Sequence, residues 1–272
     1  MIKQAIIPLA GLGTRMLPLT SVMPKELLPI NGKPNLEYIL EECIEAGVKE
    51  FIFIISKKKT SIKKYFYNDR FYKSIIKSKK NNRIKKEYKK ILKYKKMIKF
   101  VYQDEPKGTG DAILRCKKYL TSSHFLMLLP DDLIINKNCS KEMINLYKQK
   151  NSSIIATKIV KKETVSRWGI LSFKDKKKNY FKITDVTEKP SIHEAKSNYA
   201  IIGRYILPKT IMGEIEKLKP GQGNEIHITD AIKNLILKGE KFYGNIFKGK
   251  YLDCGTLEGY IDSGLIISKI GK

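Results

Sequence analysis

Strand-sized apolar runs alternate with helix-periodic stretches through the first half of the chain. Residues 3–9, 51–56, 99–103 and 125–130 are rich in Ile, Val and Phe and read as strands. Between them, residues 36–46 and 111–120 carry apolar side chains at helical spacing, and Gly47 stands where the first of these helices needs a cap. Strands alternating with helices predict an α/β fold with a mainly parallel sheet covered on both faces. Ligands in such sheets lie beyond the carboxyl ends of the strands. That rule puts the loop after the first strand, residues 103–110 and Asp131 on one rim.

The second half is more strand-rich, with candidate strands at 153–160, 170–173, 181–188 and 200–207. Gly203 interrupts the last of these and marks a bulge or a close backbone approach to a ligand. Helical spacing returns at 228–237 and 257–267. No repeat or low-complexity linker divides the chain, so residues 1–272 are expected to form a single domain. Its nearest internal boundary is at 161–164, where charge replaces the hydrophobic pattern, giving halves of about 1–160 and 161–272.

Composition changes this picture little. A chain of 272 residues that is 42% hydrophobic can bury a full core. No apolar run approaches bilayer length, and no membrane association is expected. Cys43, Cys116, Cys139 and Cys254 lack paired spacing, which argues against a disulfide or metal framework and for a reducing cytoplasm. The net charge of +27 raises the question of nucleic acid. Lysines crowd residues 57–99, but Ile84, Tyr88, Ile91 and Leu92 fall at helical spacing, so these lysines read as a solvated helix face. No nucleic-acid partner is expected.

The candidate chemistry lies in AGLGTRMLPLTSVMPKELLPI, which follows the first strand. Gly11 and Gly13 let backbone N–H groups approach a phosphate, and Arg15 and Lys25 supply positive charge for a polyphosphate. The loop matches neither the dinucleotide fingerprint, whose third glycine is Met16 here, nor the Walker loop. Asp131 ends an apolar strand, where a carboxylate needs a partner. Its alternative reading, with Asp132, is a turn and a helix cap.

Further blocks recur along the chain: PKELLPI (24–30), EPKGTGDAI (105–113), LLPDD (128–132), EKP (188–190), SNYAIIGRYIL (197–207), NEIHITDAI (224–232) and YLDCGTLEGY (251–260). With the glycine loop, they resemble the bacterial UTP–glucose-1-phosphate uridylyltransferases, in the family's order and over nearly the whole chain. The resemblance implies a Rossmann-like nucleotidyltransferase fold, with a nucleotide-binding first half and a sugar-phosphate-binding second half. It implies uridylyl transfer from UTP to glucose 1-phosphate, Mg²⁺ as cofactor, and a homo-oligomer, dimer or tetramer.

Carried over by matching positions, Arg15, Lys25, Asp131 and Lys189 are the catalytic set, and Asp131 and Asp253 the metal ligands. Ala10, Gly11, Gly13, Thr14, Glu26, Gln103 and Gly108 match nucleotide-binding positions. Gly169, Glu188, Lys189 and Gly203 match the sugar-phosphate side. A glutamine amide suits uracil and thymine equally. Thymidylyl or other sugar-nucleotidyl transfer, or a non-catalytic nucleotide binder, therefore stays open. Asp111 replaces the family's usual histidine and is expected to cap the helix that starts there. Trp168 stands for a tyrosine, and His124, His193 and His227 form no constellation.

Overall fold

A computed structural model describes residues 2–79 and 81–270. In chain order its elements are β1 (Gln4–Pro8), a two-strand hairpin of β2 (Pro29–Ile30) and β3 (Lys33–Pro34), α1 (Asn35–Glu45), β4 (Glu50–Ile55), α2 (Thr60–Tyr67), α3 (Asp69–Ser78), α4 (Asn82–Met97), β5 (Ile98–Tyr102) and α5 (Gly108–Leu114). There follow β6 (His124–Leu128), β7 (Asp132–Ile135), α6 (Cys139–Lys150), β8 (Ser153–Ile159), β9 (Gly169–Lys174), β10 (Tyr180–Glu188) and β11 (Tyr199–Pro208). The chain closes with α7 (Ile211–Ile215), α8 (Ile228–Leu237), β12 (Phe242–Ile246), β13 (Lys250–Asp253) and α9 (Leu257–Ile270).

One sheet of nine strands runs through both halves of the chain, in the order β5-β4-β1-β6-β11-β8-β12-β10-β9. The β5-β4-β1-β6 portion is parallel throughout. Beyond it β11 runs antiparallel to both β6 and β8, β12 is parallel to β8, and β10 is antiparallel to β12 and β9. The strand order reverses between β1 and β6, the position at which α/β sheets open a ligand crevice.

Alternation along the strands explains why both faces are covered. Ala5, Ile7, Phe51, Phe53, Leu126 and Leu128 face one core with α1, α2, α4 and α6, while Ile6, Ile52, Ile54, Phe125 and Met127 face a second core with α5, α7 and α8. Gly47, at φ 99°, ends α1 as expected, with its N–H bonded to Ile44 O and Val48 N–H bonded to Cys43 O. The bulge anticipated at Gly203 is present as a register shift between Ile201 and Tyr205.

Two expectations need correction. The helix expected at 111–120 begins earlier and ends at Leu114, with a separate 3-10 turn at Lys117–Tyr119. It opens on Gly108, at φ 90°, and Gly110, and a Cβ on either would collide with Ile226. The lysine-rich stretch does form α2–α4, with Ile62, Phe66, Ile91 and Tyr94 buried. Lys59, however, is buried within that stretch and is not part of a solvated face.

Candidate active site

Two clefts open at the carboxyl ends of β1 and β6 and meet at Leu129 and Asp131, which line both. The first, about 240 Å³, brings together Ala10, Gly11, Glu26, Gln103 and Gly108 from the predicted nucleotide set and Lys25 from the predicted catalytic set. Gly11 has no atom within 4 Å of where a Cβ would stand, so its backbone is open to a ligand. Gly13, at φ 71°, does not line this cleft; it turns the chain into the short helix carrying Thr14 and Arg15, and Thr20 Oγ1 donates to its carbonyl at 2.8 Å.

Lys25 enters the cleft from a 3-10 turn and places Nζ 2.5 Å from Asp131 Oδ2, while Arg15 approaches the same oxygen at 3.5 Å. Burial works against the charge on each partner. The pairing nevertheless holds the Asp131 carboxyl below its usual range and the Lys25 ammonium above its own. Glu26 is buried and both its oxygens accept from Lys59 Nζ, at 2.8 and 2.9 Å. Glu26 therefore braces the lysine turn from behind, with its carboxylate already occupied.

The second cleft, about 210 Å³, is floored by β9, β10 and β11 and lined by Gly169, Glu188, Gly203 and Thr229. Thr229 Oγ1 donates to Glu188 Oε2 at 3.0 Å, and Glu188 faces Gly169 across the strands. Gly203 lines the wall, but the space left by its missing side chain is taken by Leu129 and Asp132 Oδ2, so packing alone requires glycine there. Lys189 lies outside the lining of both clefts, exposed at the end of β10 with φ 42° and its N–H bonded to Trp168 O. The cationic side chains that do line the second cleft are Arg15 and Arg167.

Asp253 reaches this cleft from β13, which pairs with β7 so that Asp253 stands opposite Asp132. Cys254 N–H bonds to Asp131 O at 2.7 Å, and Gly255 N–H to Asp253 Oδ1 at 2.8 Å. A Cβ at Gly255 would lie 2.7 Å from both Arg15 Nη2 and Asp131 Oδ2 and 3.2 Å from Asp253 Oδ1, so the two carboxylates and the Arg15 guanidinium meet around one point. The two carboxylates are the oxygen donors there that a hard divalent cation would use, with Arg15 moving aside, while keeping sites for phosphate and water. Among the described residues no group of three His, Cys, Asp or Glu converges as a closed metal cage would require.

Asp132 begins β7 and caps no helix. Its Oδ1 accepts from Tyr251 Oη at 2.6 Å and its Oδ2 from Gly203 N–H at 3.0 Å. Burial, with Asp131 adjacent, pushes its carboxyl up to about 6. Beneath it, fully buried Arg204 binds Glu42 through Nε at 2.9 Å and NH2 at 2.6 Å, and donates to Asp132 O. This pair ties α1, β7 and β11 together under the carboxylates.

The Asp111 expectation is also corrected. Asp111 lies inside α5, not at its cap, because the helix begins at Gly108. Its Oδ2 accepts from Gln103 Nε2 at 2.7 Å, and Arg115 pairs with it through Nε at 2.9 Å. Sequence reasoning also left out Lys59, Tyr251, Thr229 and Arg167. Thr229 and Tyr251 lie in the blocks at 224–232 and 251–260, and Arg167 is a cation two residues before Gly169, whereas Lys59 carried no such mark.

The nucleotidyl transferase family profile matches residues 4–269. The UTP–glucose-1-phosphate uridylyltransferase of Mycoplasma pneumoniae is 36% identical over 267 residues, 97% of this chain and 91% of that protein. The chain belongs to this family. A solved UDP-glucose pyrophosphorylase complexed with UDP-glucose is similar at 37% identity and TM-score 0.87, covering 99% of each chain. A UTP-bound family member from Acinetobacter baumannii is similar at 30% identity and TM-score 0.88, covering 98% of this chain and 93% of that one. These family members support the mixed α/β nucleotidyltransferase architecture described above.

Proposed function

We propose that this protein transfers a uridylyl group from UTP to glucose 1-phosphate, giving UDP-glucose and pyrophosphate. The observation that carries the reading is the position of Asp131 at the junction of two clefts, with Lys25 and Arg15 on one carboxylate oxygen and Asp253 converging beside it. A phosphoryl centre held there has a nucleotide on one side and an acceptor on the other. A glucose 1-phosphate oxygen attacks the α-phosphorus in line, the new P–O bond forms, and the α–β bridging bond breaks as pyrophosphate leaves. The attacking oxygen is already anionic, so no general base is required and the site's task is alignment and charge stabilisation.

In this reading Ala10, Gly11 and the Gly108 segment flank the nucleoside, and Gln103 meets the base. Gly13 and Thr14 shape the turn that presents Arg15, and Arg15 and Lys25 take up charge passing to pyrophosphate. Glu188, with Gly169 and Gly203 on the cleft wall, accepts from sugar hydroxyls. Arg167, with Lys189 from the rim, attracts the sugar phosphate. Asp131 and Asp253 would hold Mg²⁺, which supplies Lewis-acid stabilisation of phosphate oxygens when bound.

Four free, buried cysteines support a reducing compartment such as the cytoplasm. Among the described residues no helix is long and apolar enough to cross a membrane. Exposed Leu257, Ile261 and Leu265 along α9 support a homo-oligomer.

The deciding experiment measures pyrophosphate release with glucose 1-phosphate and Mg²⁺, comparing UTP with dTTP, each with and without EDTA. Release with UTP that the chelator stops is expected; a preference for dTTP would move the protein to thymidylyl transfer.

A further inference from the structure

We infer that Asp111 sets the base preference of the nucleotide cleft by fixing which end of the Gln103 amide meets the base, an inference that rests on the reading above. A glutamine amide can present either its oxygen or its NH₂ group, and the neighbours decide which. Here Nε2 lies 3.1 Å from Gly108 O and 2.7 Å from Asp111 Oδ2. A backbone carbonyl and a carboxylate can only accept, so the nitrogen must face them and both of its hydrogens are used. Among the described residues no donor reaches Oε1, and Gln103 lines the cleft. The group left for a base is therefore an acceptor. Uracil offers an N–H at its N3 position, whereas cytosine has a lone pair there, and two facing acceptors are unfavourable. The thymine methyl lies elsewhere on the ring, so this device separates uracil from cytosine and not from thymine.

Arg115 completes the arrangement. Its Nε and Nη2 bind Asp111 at 2.9 and 3.3 Å, and its Nη1 reaches Tyr102 O at 3.4 Å. The pairing holds the carboxylate still and offsets its charge, so an anion is tolerated in a wall that also serves a polyphosphate. Without Asp111 only the Gly108 carbonyl still holds the Gln103 nitrogen. The amide is then oriented less firmly and presents its NH₂ toward the base part of the time, an arrangement that suits cytosine.

The test compares wild type, Asp111→Ala and the near-isosteric Asp111→Asn. It reads kcat/KM for pyrophosphate release from UTP and from CTP at saturating glucose 1-phosphate, and the binding of each nucleotide by calorimetry. Asp111→Ala should lower the preference for UTP over CTP on the order of tenfold, mainly through the KM for UTP, with kcat at saturating UTP held. Asp111→Asn can donate to the Gln103 oxygen and so frees the amide to turn; it should show a smaller fall in the same direction. A residue that only supports the helix would lower both nucleotides in proportion. A preference held within about twofold in whichever variants fold overturns the inference, since one lost hydrogen bond is worth more than that. Wild-type protein that releases no pyrophosphate from either nucleotide overturns the uridylyl-transfer reading instead, and calorimetric UTP and CTP affinities then still decide the role of Asp111.

Discussion

The cleft around Gln103 stands on the parallel part of the sheet, and most charged groups in and behind it are already paired with one another. Lys25 binds Asp131, Lys59 binds Glu26, and Arg115 binds Asp111, which in turn holds Gln103. The cleft around Glu188 stands on antiparallel β9, β10 and β11, and among the described residues neither Arg167 nor Lys189 beside it forms an ion pair. Pairing fixes side chains before a ligand arrives and lowers the entropy lost on binding. Unpaired exposed cations instead remain available to an incoming anion and hold it loosely until contacts close. Under the proposed function, the difference fits rigid base and triphosphate recognition in the first cleft and electrostatic capture of a phosphate in the second.

Asp131 belongs to both clefts, and its replacement should have the largest effect. Asp131→Asn keeps the shape of the side chain but removes the charge that faces Lys25, Arg15 and the cation position. Turnover should fall by about 10³-fold or more, because electrostatic stabilisation of the transferring phosphoryl group is the main demand of the reaction. Steady-state pyrophosphate release measures this, with a melting curve to show that the fold is kept. A loss of only a few-fold would mean that the carboxylate merely anchors Lys25, and the two clefts would no longer share a centre.

Lys59→Ala tests the internal bracing of the first cleft. Glu26 is 1% exposed, and removing the lysine leaves its carboxylate buried without its cation. Breaking one side of such a pair typically costs about 3–5 kcal/mol, and urea unfolding should report a loss of that size. Unchanged stability would show that Glu26 is neutralised without Lys59, and the contrast between a braced cleft and an open one would weaken.

Much of the first cleft was legible in the chain because its parts are local. β1, β4 and β6 are apolar on both faces and therefore appear as continuous hydrophobic runs. The loop residues Gly11, Arg15 and Lys25 all follow one such run. What escaped was long-range pairing. Tyr251 meets Asp132 across 119 positions, through a β7–β13 pair that no local periodicity announces. Lys59 escaped because lysines are abundant around it, so a buried member carries no compositional mark. The start of α5 was missed because Gly108 and Gly110 read as a loop, although α5 opens on them and their close contact with Ile226 requires glycine there. The role of Asp111 was misjudged as a consequence, since a residue expected at the cap lies in the first turn of the helix.

The smallest effect is expected in the second cleft, and it separates two cations that sequence position alone cannot rank. Lys189 was implied by resemblance, yet Arg167 is the one whose residue lines the cleft. Arg167→Ala should raise the KM for glucose 1-phosphate on the order of tenfold, the worth of a charge-assisted contact to phosphate. The KM for UTP should stay as it was, because the first cleft's pairs do not include Arg167. Lys189→Ala should raise the same KM by less, since an exposed lysine at the rim acts through screened attraction. Both residues are exposed, so neither change should move the melting temperature appreciably. If Lys189→Ala has the larger effect, the side chain must swing inward when the sugar phosphate arrives, and the second cleft closes on its ligand. If Arg167→Ala raises the UTP KM as well, the two clefts are coupled through Arg15, the cation that lines the second cleft while pairing with Asp131.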